Sequence, residues 1–390
     1  MPEQAPSTHP QLKRILAVKL ADLGDVLMLT PALQALHSAQ PLATLDLLVP
    51  PSSDKLLRGV SFIDRVITFD KFAFDSPKSM LNLGSLLRTL AFLLKLRRSK
   101  YDAIIIFHHL TLGFGAIKFR MLALTSGARW RVGLDNGRGG FLNIRAVDEG
   151  FGAMHEADYW LGVASLLGAD PSVGWRPVLP ISDADREVAA RLLAPLEGNE
   201  PGPLVAVHPG AGAYSKARIW PAEGFAQVAR ELGCVYNARV VLVGGPDEAG
   251  AAKNLEASLE GEVHILNLTG QTTIHETAAV LQRCDLFVGN DSGPMHIAST
   301  VGTPVVSIFG PSNWRAWGPY TPPGEENPHK IVARDLPCMP CLYRGHSLGL
   351  REGCGPRPCL TGLHPDSVIA ACAEILARAG MDVPSTEPEG

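Results

Sequence analysis

The stretch D-L-F-V-G-N-D-S-G-P-M-H-I-A-S-T-V-G-T-P-V-V-S-I-F-G, residues 285–310, indicates a strand, a helix and a second strand in close succession. The apolar run at 286–288 is short enough for a buried strand. Asp291 or Ser292 can cap a helix whose first turn accommodates Pro294. Strand, helix and strand in this order are the repeating unit of an α/β fold with a parallel sheet.

The same stretch also offers a place for a phosphate group. A helix N-terminus presents unpaired N–H groups and the positive end of the helix dipole, both of which attract an anion. Gly293 would let a ligand approach the backbone closely. An ordinary strand-to-helix turn is the alternative interpretation, and these residues alone support the two equally.

Strand and helix patterns alternate along the rest of the chain in two runs. A proline-rich stretch with one helix, 181–203, separates them and is the expected domain boundary. The class is therefore α/β, with two doubly wound Rossmann-like domains, 13–180 and 204–380, facing a central cleft. Locally, we expect one helix at 26–38 and irregular structure from Gly310 to a final helix.

The composition narrows the class of protein. The 390 residues are 46% hydrophobic and 19% charged, with a formal net charge of −4. This fits a well-packed globular protein of two or three domains and argues against nucleic-acid binding driven by net charge. No apolar run reaches membrane-spanning length, and the polar residues 1–10 lack the pattern of a signal peptide. A cytoplasmic protein is expected.

A leucine-rich helix with a basic end is predicted at 78–100. Its apolar residues cover most of the helix surface, which favours a helix packed in the core. The combination of leucines and cations keeps a membrane-surface helix as the alternative.

Polar loops follow the predicted strands of the second half. Because the carboxyl ends of parallel strands meet at one edge of a sheet, these loops should line one crevice. Their amides, hydroxyls, cations and carboxylates suit a nucleoside diphosphate. Neither a G-x-G-x-x-G nor a G-x-x-x-x-G-K-[ST] motif occurs, which argues against a nicotinamide or P-loop enzyme. The loops lie at 208–213, 216–220, 245–248, 269–273 and 291–296.

Several segments resemble glycosyltransferase family 9, the heptosyltransferases of lipopolysaccharide core synthesis. The similarity runs from about residue 14 to residue 379, and no single motif would suffice. The segments are K-L-A-D-L-G-D-V-L-M-L-T-P-A-L (19–33), H-P-G-A-G-A-Y-S-K-A-R-I-W-P (208–221), L-V-G-G-P-D-E (242–248), D-S-G-P-M-H (291–296) with F-G-P (309–311), and M-H-E-A-D-Y-W-L-G-V-A-S-L-L-G (154–168).

The resemblance implies a GT-B fold and an inverting, metal-independent transfer of heptose from ADP-heptose to the inner core of lipopolysaccharide. Asp25 falls on the family's catalytic aspartate, and a carboxylate there can take the acceptor's proton. A plain helix cap, with Asp22 competing for the role, is the alternative. Lys19 stands where the family commonly has Arg, which keeps the charge but loses the planar fork.

The donor site that the resemblance implies lies almost entirely in the second half. Arg218 and backbone amides would stabilise the leaving diphosphate, with Lys216 as a nearby substitute. Glu248 would bind the ribose, and His296 would order the donor unless it is a satisfied helix histidine. The donor-binding residues are expected to be Gly24, Lys216, Arg218, Glu248, Thr272, Asp291, Ser292, Gly293, Met295 and His296.

The expected acceptor is the phosphorylated lipopolysaccharide core, reached by peripheral contact with the cytoplasmic face of the inner membrane. The first half should supply cations for it, although most are expected to be ordinary solvated charges. No cofactor or nucleic-acid partner is expected. The available cations are Arg88, Arg97, Arg98, Lys118, Arg120, Arg129, Arg131 and Arg138.

Four of the seven cysteines, Cys338, Cys341, Cys354 and Cys359, fall within 22 residues with the spacing C-x2-C-x12-C-x4-C. The spacing approaches zinc-ribbon patterns without matching one well, so a structural metal and redox-labile thiols both remain open. No catalytic metal is assigned. Two other functions also remain open: a transferase or epimerase for another nucleotide-sugar, and a catalytically silent sugar- or lipid-binding protein.

Overall fold

The fold is seen in a computed structural model that describes residues 9–69, 83–111, 113–196, 202–212 and 214–381. The chain divides into two compact units, Met1–Val178 with Gly345–Ser347, and Leu179–Arg344 with Leu348–Gly390. The helix inside the expected linker belongs to the second unit. The assignment of acceptor binding to one domain and nucleotide-sugar binding to the other stays a prediction.

The first unit is built on a parallel sheet of six strands in the order β3-β2-β1-β4-β5-β6. Its central strands are apolar at nearly every position, as expected when helices cover both faces of a parallel sheet. The strands are β1 (Arg14–Val18), β2 (Thr44–Val49), β3 (Arg65–Thr68), β4 (Ala103–Ile106), β5 (Trp130–Asp135) and β6 (Ile144–Val147). The helices are α1 (Leu23–Leu27), α2 (Thr30–Ala39), α3 (Leu83–Arg98), α4 (Gly113–Ser126) and α5 (Glu156–Ser165).

The single helix expected at 26–38 is wrong, because the chain forms α1 and α2 with a break between them. Pro31 lies in the first turn of α2, where its missing N–H costs no hydrogen bond. The hydroxyl of Thr30 donates to the carbonyl of Leu27 at 2.7 Å, which satisfies an acceptor at the end of α1.

The second unit repeats the same parallel topology, in the order β12-β11-β10-β7-β8-β9. The strands are β7 (Leu204–His208), β8 (Arg239–Leu242), β9 (Ile265–Asn267), β10 (Leu286–Asn290), β11 (Val305–Phe309) and β12 (Lys330–Ala333). The helices are α6 (Asp183–Leu193), α7 (Ala222–Tyr236), α8 (Ala249–Ser258), α9 (Ile274–Gln282), α10 (Gly293–Thr300), α11 (Trp314–Trp317), α12 (Pro358–Thr361) and α13 (Pro365–Arg378).

The expectation of irregular structure after Gly310 is wrong, because β11 pairs with β12. The sequence pattern also gave no sign of β6, which pairs with β5. Both are edge strands with few fully buried side chains. An edge strand lacks the continuous apolar run that marks a central strand, so its position depends on pairing with a neighbour.

The predicted helix at 78–100 starts outside the described residues, which resume at residue 83. Along α3, Phe92, Leu93 and Leu96 pack towards the core of the first unit. Leu87, Leu90 and Leu94 face outward and are 58%, 51% and 47% exposed. One face of α3 therefore packs in the core, and the face with the three leucines is exposed. Among the described helices, none combines the length and apolar character that crossing a membrane requires.

In each sheet the strand order reverses beside the first strand of the unit. β1 lies between β2 and β4, and β7 lies between β8 and β10. At such a switch point, the loops after the two neighbouring strands leave in opposite directions and open a crevice at the carboxyl edge. This places the residues after β1 and β4 together in one unit, and those after β7 and β10 together in the other.

Candidate functional site

Asn290, the last residue of β10, ties the loops of the second crevice together. Its Nδ2 donates to the carbonyls of Pro209 at 3.0 Å and Gly210 at 2.9 Å. Its Oδ1 accepts from the backbone N–H of Trp220 at 3.1 Å. The sequence analysis did not assign Asn290 to the site, but this buried amide sets the position of the loop after β7.

Glu248 is held as a carboxylate by a chain of hydrogen bonds that crosses the crevice. His208 Nε2 donates to Glu248 Oε2 at 2.9 Å, since a carboxylate can only accept, and His208 Nδ1 lies 3.0 Å from Ser292 Oγ. The amides of Gly212 and Gly245 donate to Glu248 at 3.0 and 2.9 Å. Burial raises the pKa of Glu248, but His208 and these amides outweigh it and lower the pKa to about 2.

Arg218 and Asp291 form an ion pair at the carboxyl end of β10. Arg218 Nη1 lies 3.1 Å from Asp291 Oδ2, and Nη2 donates to the carbonyl of Ala211 at 3.0 Å. Both side chains are largely buried. The pair fixes a guanidinium beside the start of α10, where a negatively charged ligand would be favoured.

The N-terminus of α10 lies at the same edge. Ser292 occupies the N-cap position, but its hydroxyl contacts His208 and does not cap the helix. Met295 and His296 are buried in the first turns. The backbone amides of Gly293 and Met295 lie in the first turn of α10, where amides that have no acceptor inside the helix can bind an anion.

Two further predicted donor residues make contacts of other kinds, and their role in donor binding stays a prediction. Lys216 is exposed, and its carbonyl accepts from Arg357 at 3.2 Å. The hydroxyl of Thr272 lies 2.7 Å from that of Thr277 and stabilises the start of α9. Thr269 was not among the predicted donor-binding residues. It is buried with its methyl group beside Gly244, and its hydroxyl has no hydrogen-bond partner within the described ranges.

The cysteine-containing segment 338–361 packs on the loop that carries Arg218. The hydroxyl of Ser215 donates to the carbonyl of Arg351 at 2.6 Å, and the guanidinium of Arg351 donates to the carbonyl of Tyr214. The Tyr214 and Tyr343 rings stack with centroids 6.0 Å apart. The segment thus braces the cationic loop, a role that its irregular sequence did not reveal.

The four clustered cysteines are free thiols, three exposed and Cys359 buried. Burial raises the pKa of Cys341, and its neighbours Cys354 and Cys338 raise it further, so these thiols lie near one another. Across the part of the chain that the structure describes, no group of three or more His, Cys, Asp or Glu side chains is arranged to hold a metal ion. A structural metal and redox-labile thiols therefore both stay open for this cluster.

In the first unit, Gly24 and Asp25 lie in α1, directly after β1. Asp25 Oδ1 is 3.7 Å from Lys19 Nζ, and the two side chains are 26% and 2% exposed. The ammonium of Lys19 also lies 4.0 Å from the centre of the Trp160 ring. A carboxylate beside a cation favours its deprotonated form, which is the form that a general base needs.

Behind this pair, at the end of β4, lies a buried histidine that sequence reasoning did not assign to the site. His109 Nδ1 is 2.9 Å from Asp148 Oδ1, and its Nε2 is 2.9 Å from Glu156 Oε1. Burial lowers the pKa of His109, but the two carboxylates, led by Glu156, outweigh it and raise the pKa to about 9. The only hint in the sequence was a histidine directly after a buried strand.

Each unit therefore has the Rossmann-like topology, with chemically active side chains at its switch point. The two parallel six-stranded sheets, with their helices, form the GT-B fold of one large class of glycosyltransferases. The solved structure of E. coli ADP-heptose lps heptosyltransferase II has a TM-score of 0.69 to this chain at 20% identity, covering 94% of this chain and 99% of that one. E. coli heptosyltransferase WaaC with ADP-2-deoxy-2-fluoro heptose gives a TM-score of 0.61 at 20% identity, covering 93% and 99%.

The sequence comparisons narrow the class further. The profile of glycosyltransferase family 9 (heptosyltransferase) matches residues 89–350, and the chain belongs to this family. Lipopolysaccharide heptosyltransferase 2 of Escherichia coli (strain K12) is 25% identical over 319 residues, 80% of this chain and 85% of that protein. Lipooligosaccharide heptosyltransferase 2 of Campylobacter jejuni is 29% identical over 176 residues, 45% of this chain and 52% of that protein, so the match spans about half of its length.

Proposed function

We propose that this protein is an inverting glycosyltransferase that moves a heptose from ADP-heptose to the inner core of lipopolysaccharide. The observation that carries the proposal is the Arg218–Asp291 pair beside the N-terminus of α10, at the switch point of the second sheet. This is where a Rossmann-like sheet binds a nucleotide. Support also comes from family membership and from the likeness to structures of E. coli heptosyltransferases.

In the proposed donor complex, the diphosphate lies between the Arg218 guanidinium and the first amides of α10. Charge-assisted hydrogen bonds from these groups would stabilise the negative charge that develops on the leaving ADP. The proposed transfer therefore uses no metal ion. Glu248, held as a carboxylate, accepts hydrogen bonds from the ribose hydroxyls. His208 and two backbone amides keep its side chain in place for this role.

In the proposed chemical step, an acceptor hydroxyl attacks the anomeric carbon of the donor. The bond from that carbon to the phosphate oxygen breaks, ADP leaves with the electron pair, and the hydroxyl proton passes to Asp25. Attack from the face opposite the leaving group inverts the anomeric configuration. Lys19, 3.7 Å from Asp25, keeps this carboxylate ready to accept the proton.

The first unit offers positive charge for an anionic acceptor. Burial lowers the pKa of His108 well below its ordinary value, and the positive charges of Lys19, Lys118 and His109 contribute to the same shift. Lys19 and His109 are paired with carboxylates, and Lys118 is the positive charge that this edge of the first sheet offers to an acceptor. A phosphorylated or carboxylated sugar acceptor would be attracted to this edge.

The outward face of α3 supports contact of the first unit with a lipid surface. Leu87, Leu90 and Leu94 are exposed at helical spacing, and Arg88 and Arg98 are exposed on the same helix. Apolar side chains that enter the headgroup region and cations that meet anionic lipids are the features of a membrane-surface helix. We therefore propose peripheral contact with the cytoplasmic face of the inner membrane, through which the lipid-anchored acceptor would be reached.

Donor identity is tested by calorimetry of the wild-type protein with ADP, UDP, GDP and their sugars. ADP and ADP-heptose should bind, and the other nucleotides should bind at least ten times more weakly. Preferential binding of UDP or GDP would contradict the proposed donor. Asp25→Asn should abolish heptose transfer while leaving ADP affinity unchanged, whereas turnover by this variant would rule out Asp25 as the base.

A further inference from the structure

A buried network of charges lies directly behind the Lys19–Asp25 pair. Its centre is His109, whose two ring nitrogens each contact a different carboxylate at 2.9 Å, Asp148 on one side and Glu156 on the other. All three side chains are buried. A carboxylate accepts hydrogen bonds but cannot donate them, so both ring nitrogens carry a proton and the ring is an imidazolium.

Helix α5 connects this network to Lys19. Glu156 and Trp160 are four residues apart on α5, so their side chains lie on the same helix face. Glu156 contacts His109, while the Trp160 ring lies under the Lys19 ammonium at 4.0 Å. The His109 ring also packs against the Trp160 ring, with centroids 5.4 Å apart.

Lys19 lies within electrostatic reach of two carboxylates. One is Asp25, at 3.7 Å, and the other is Glu156. Burial raises the pKa of Glu156, but the positive charges of His109 and then of Lys19 outweigh it and lower that pKa. Lys19 is almost fully buried, so its attraction to either carboxylate is weakly screened by solvent. The strength of the attraction between Lys19 and Asp25 therefore depends on which other cations neutralise the charge of Glu156.

We propose that His109 is a positioning residue for the Lys19–Asp25 pair. By neutralising Glu156 and fixing the face of α5 that carries Trp160, its ring leaves the Lys19 ammonium to Asp25. His109 itself touches neither substrate nor reacting atoms. The inference rests on the proposed function only where it concerns Asp25 as the base.

Other charged groups also face this network and have to be considered in any test of pH dependence. His346 Nε2 donates to the carbonyl of Asp148 at 2.9 Å and lies 3.6 Å from its Oδ1. His155, at the N-cap of α5, favours the carboxylate form of Glu156. The titratable groups that face His109 and its two carboxylates are Lys19, His108, His155, Tyr159 and His346, and Glu149 in turn faces Tyr159.

The test measures kcat/KM as a function of pH in isosteric variants. The quantity compared is the acid limb, the pH range in which kcat/KM falls as the pH is lowered. In His109→Gln, Glu156 keeps its charge without a cationic partner and draws Lys19 away from Asp25. Since a neighbouring cation typically lowers a carboxyl pKa by 1–3 units, the limb should move to higher pH by about one unit. Glu156→Gln removes the competitor for Lys19 and should move the limb to lower pH.

The double variant His109→Gln/Glu156→Gln loses one positive and one negative charge and should return the limb to within about 0.3 units of the wild-type position. His346→Gln is the matched control, because it changes a histidine that contacts Asp148 but not Glu156. Its limb should not move. A purely structural role for His109 would lower kcat at every pH without moving the limb, and that result would overturn the proposal.

A readout that does not depend on turnover separates this inference from the proposed function. The ¹³Cγ resonance of Asp25, assigned with Asp25→Asn, reports protonation of the carboxyl directly. Its titration midpoint should rise in His109→Gln and recover in the double variant, even if another residue is the base. If His109→Gln alone does not fold, the comparison of the wild-type protein with Glu156→Gln decides: the midpoint should fall in Glu156→Gln, and equal midpoints in these two proteins would refute the proposal.

Discussion

The guanidinium of Arg218 donates to the carboxylate of Asp291 at 3.1 Å, across 73 positions of sequence. Both side chains are largely buried, and Arg218 also donates to the carbonyl of Ala211 at 3.0 Å. A buried guanidinium with two fixed acceptors has few orientations open to it. The guanidinium is therefore preorganised for an anion, which lowers the entropic cost of binding one.

Arg218→Gln should weaken ADP binding by about 10- to 100-fold, because a charge-assisted hydrogen bond to phosphate contributes about 1.5–3 kcal/mol. Calorimetry measures the change. Lys216→Gln is the matched control: the side chain is exposed on the same short turn, and its loss should change affinity by less than threefold. A larger loss in Lys216→Gln than in Arg218→Gln would reverse the assigned roles.

Asn290→Ala should destabilise the second unit by about 2–4 kcal/mol. It leaves two carbonyls and the N–H of Trp220 without the buried amide that now pairs with them. Urea unfolding, followed by circular dichroism, measures the loss. Asn254→Ala, at an exposed position of α8, should cost less than about 0.5 kcal/mol, and an equal cost at the two positions would argue against the bracing role.

Glu248 makes stability depend on pH in the acid range. Its pKa falls from an ordinary 4.5 to about 2 in the folded protein, so its contribution is complete above pH 4.5 and is lost as the pH falls towards 2. Glu248→Gln should therefore lower the Tm at pH 7 by several degrees and have a much smaller effect near pH 2. A constant difference in Tm between pH 7 and pH 2.5 would contradict this assignment.

His109 has the opposite effect, in the alkaline range. Its pKa rises from 6.5 to about 9, so its stabilising charge is complete below pH 6.5 and is lost as the pH rises through 9. The wild-type protein should lose stability between pH 6.5 and pH 9.5 in urea unfolding. His109→Gln/Glu156→Gln should show a clearly shallower decline, and parallel curves would mean that other groups cause the loss.

The exposed leucines of α3 predict binding to anionic vesicles. Replacing Leu87, Leu90 and Leu94 with serine should reduce sedimentation with vesicles of phosphatidylglycerol and phosphatidylethanolamine at least tenfold, because burying each leucine contributes about 1.5–3 kcal/mol. Leu42→Ser/Leu350→Ser removes two exposed leucines elsewhere and should have no effect. Equal binding by the wild-type protein and the α3 variant would exclude this face as the contact surface.

Much of the fold could be predicted from local sequence patterns. The central strands are apolar and short, and the helices between them carry buried faces, so the alternation of the two kinds of segment was visible. The strands that escaped prediction were β6 and β12, whose side chains are mostly only partly buried. Pairing with a neighbouring strand positions them, and a local pattern does not contain that information.

The positions of several candidate site residues along the sheets could also be predicted from the sequence. Asp25, Arg218, Asp291 and Ser292 lie at the carboxyl edges of their sheets, where parallel topology places loops after strands. Which of them would contact one another was not predictable, and neither were the contacts of Lys216 with Arg357 and of Thr272 with Thr277. A residue's position after a strand can be inferred from sequence, whereas the direction of its side chain depends on packing.

By itself, the sequence determined that the chain forms two Rossmann-like runs and that chemically active residues follow their strands, because apolar periodicity and turn residues act over a few positions. Only the tertiary structure decided that His109 would be held between Asp148 and Glu156, 39 and 47 positions away, and that Arg351 would contact Ser215 across 136 positions. Contacts of this kind form when distant segments pack together and exclude water. The charges and hydrogen bonds at this site acquire their strength from that burial.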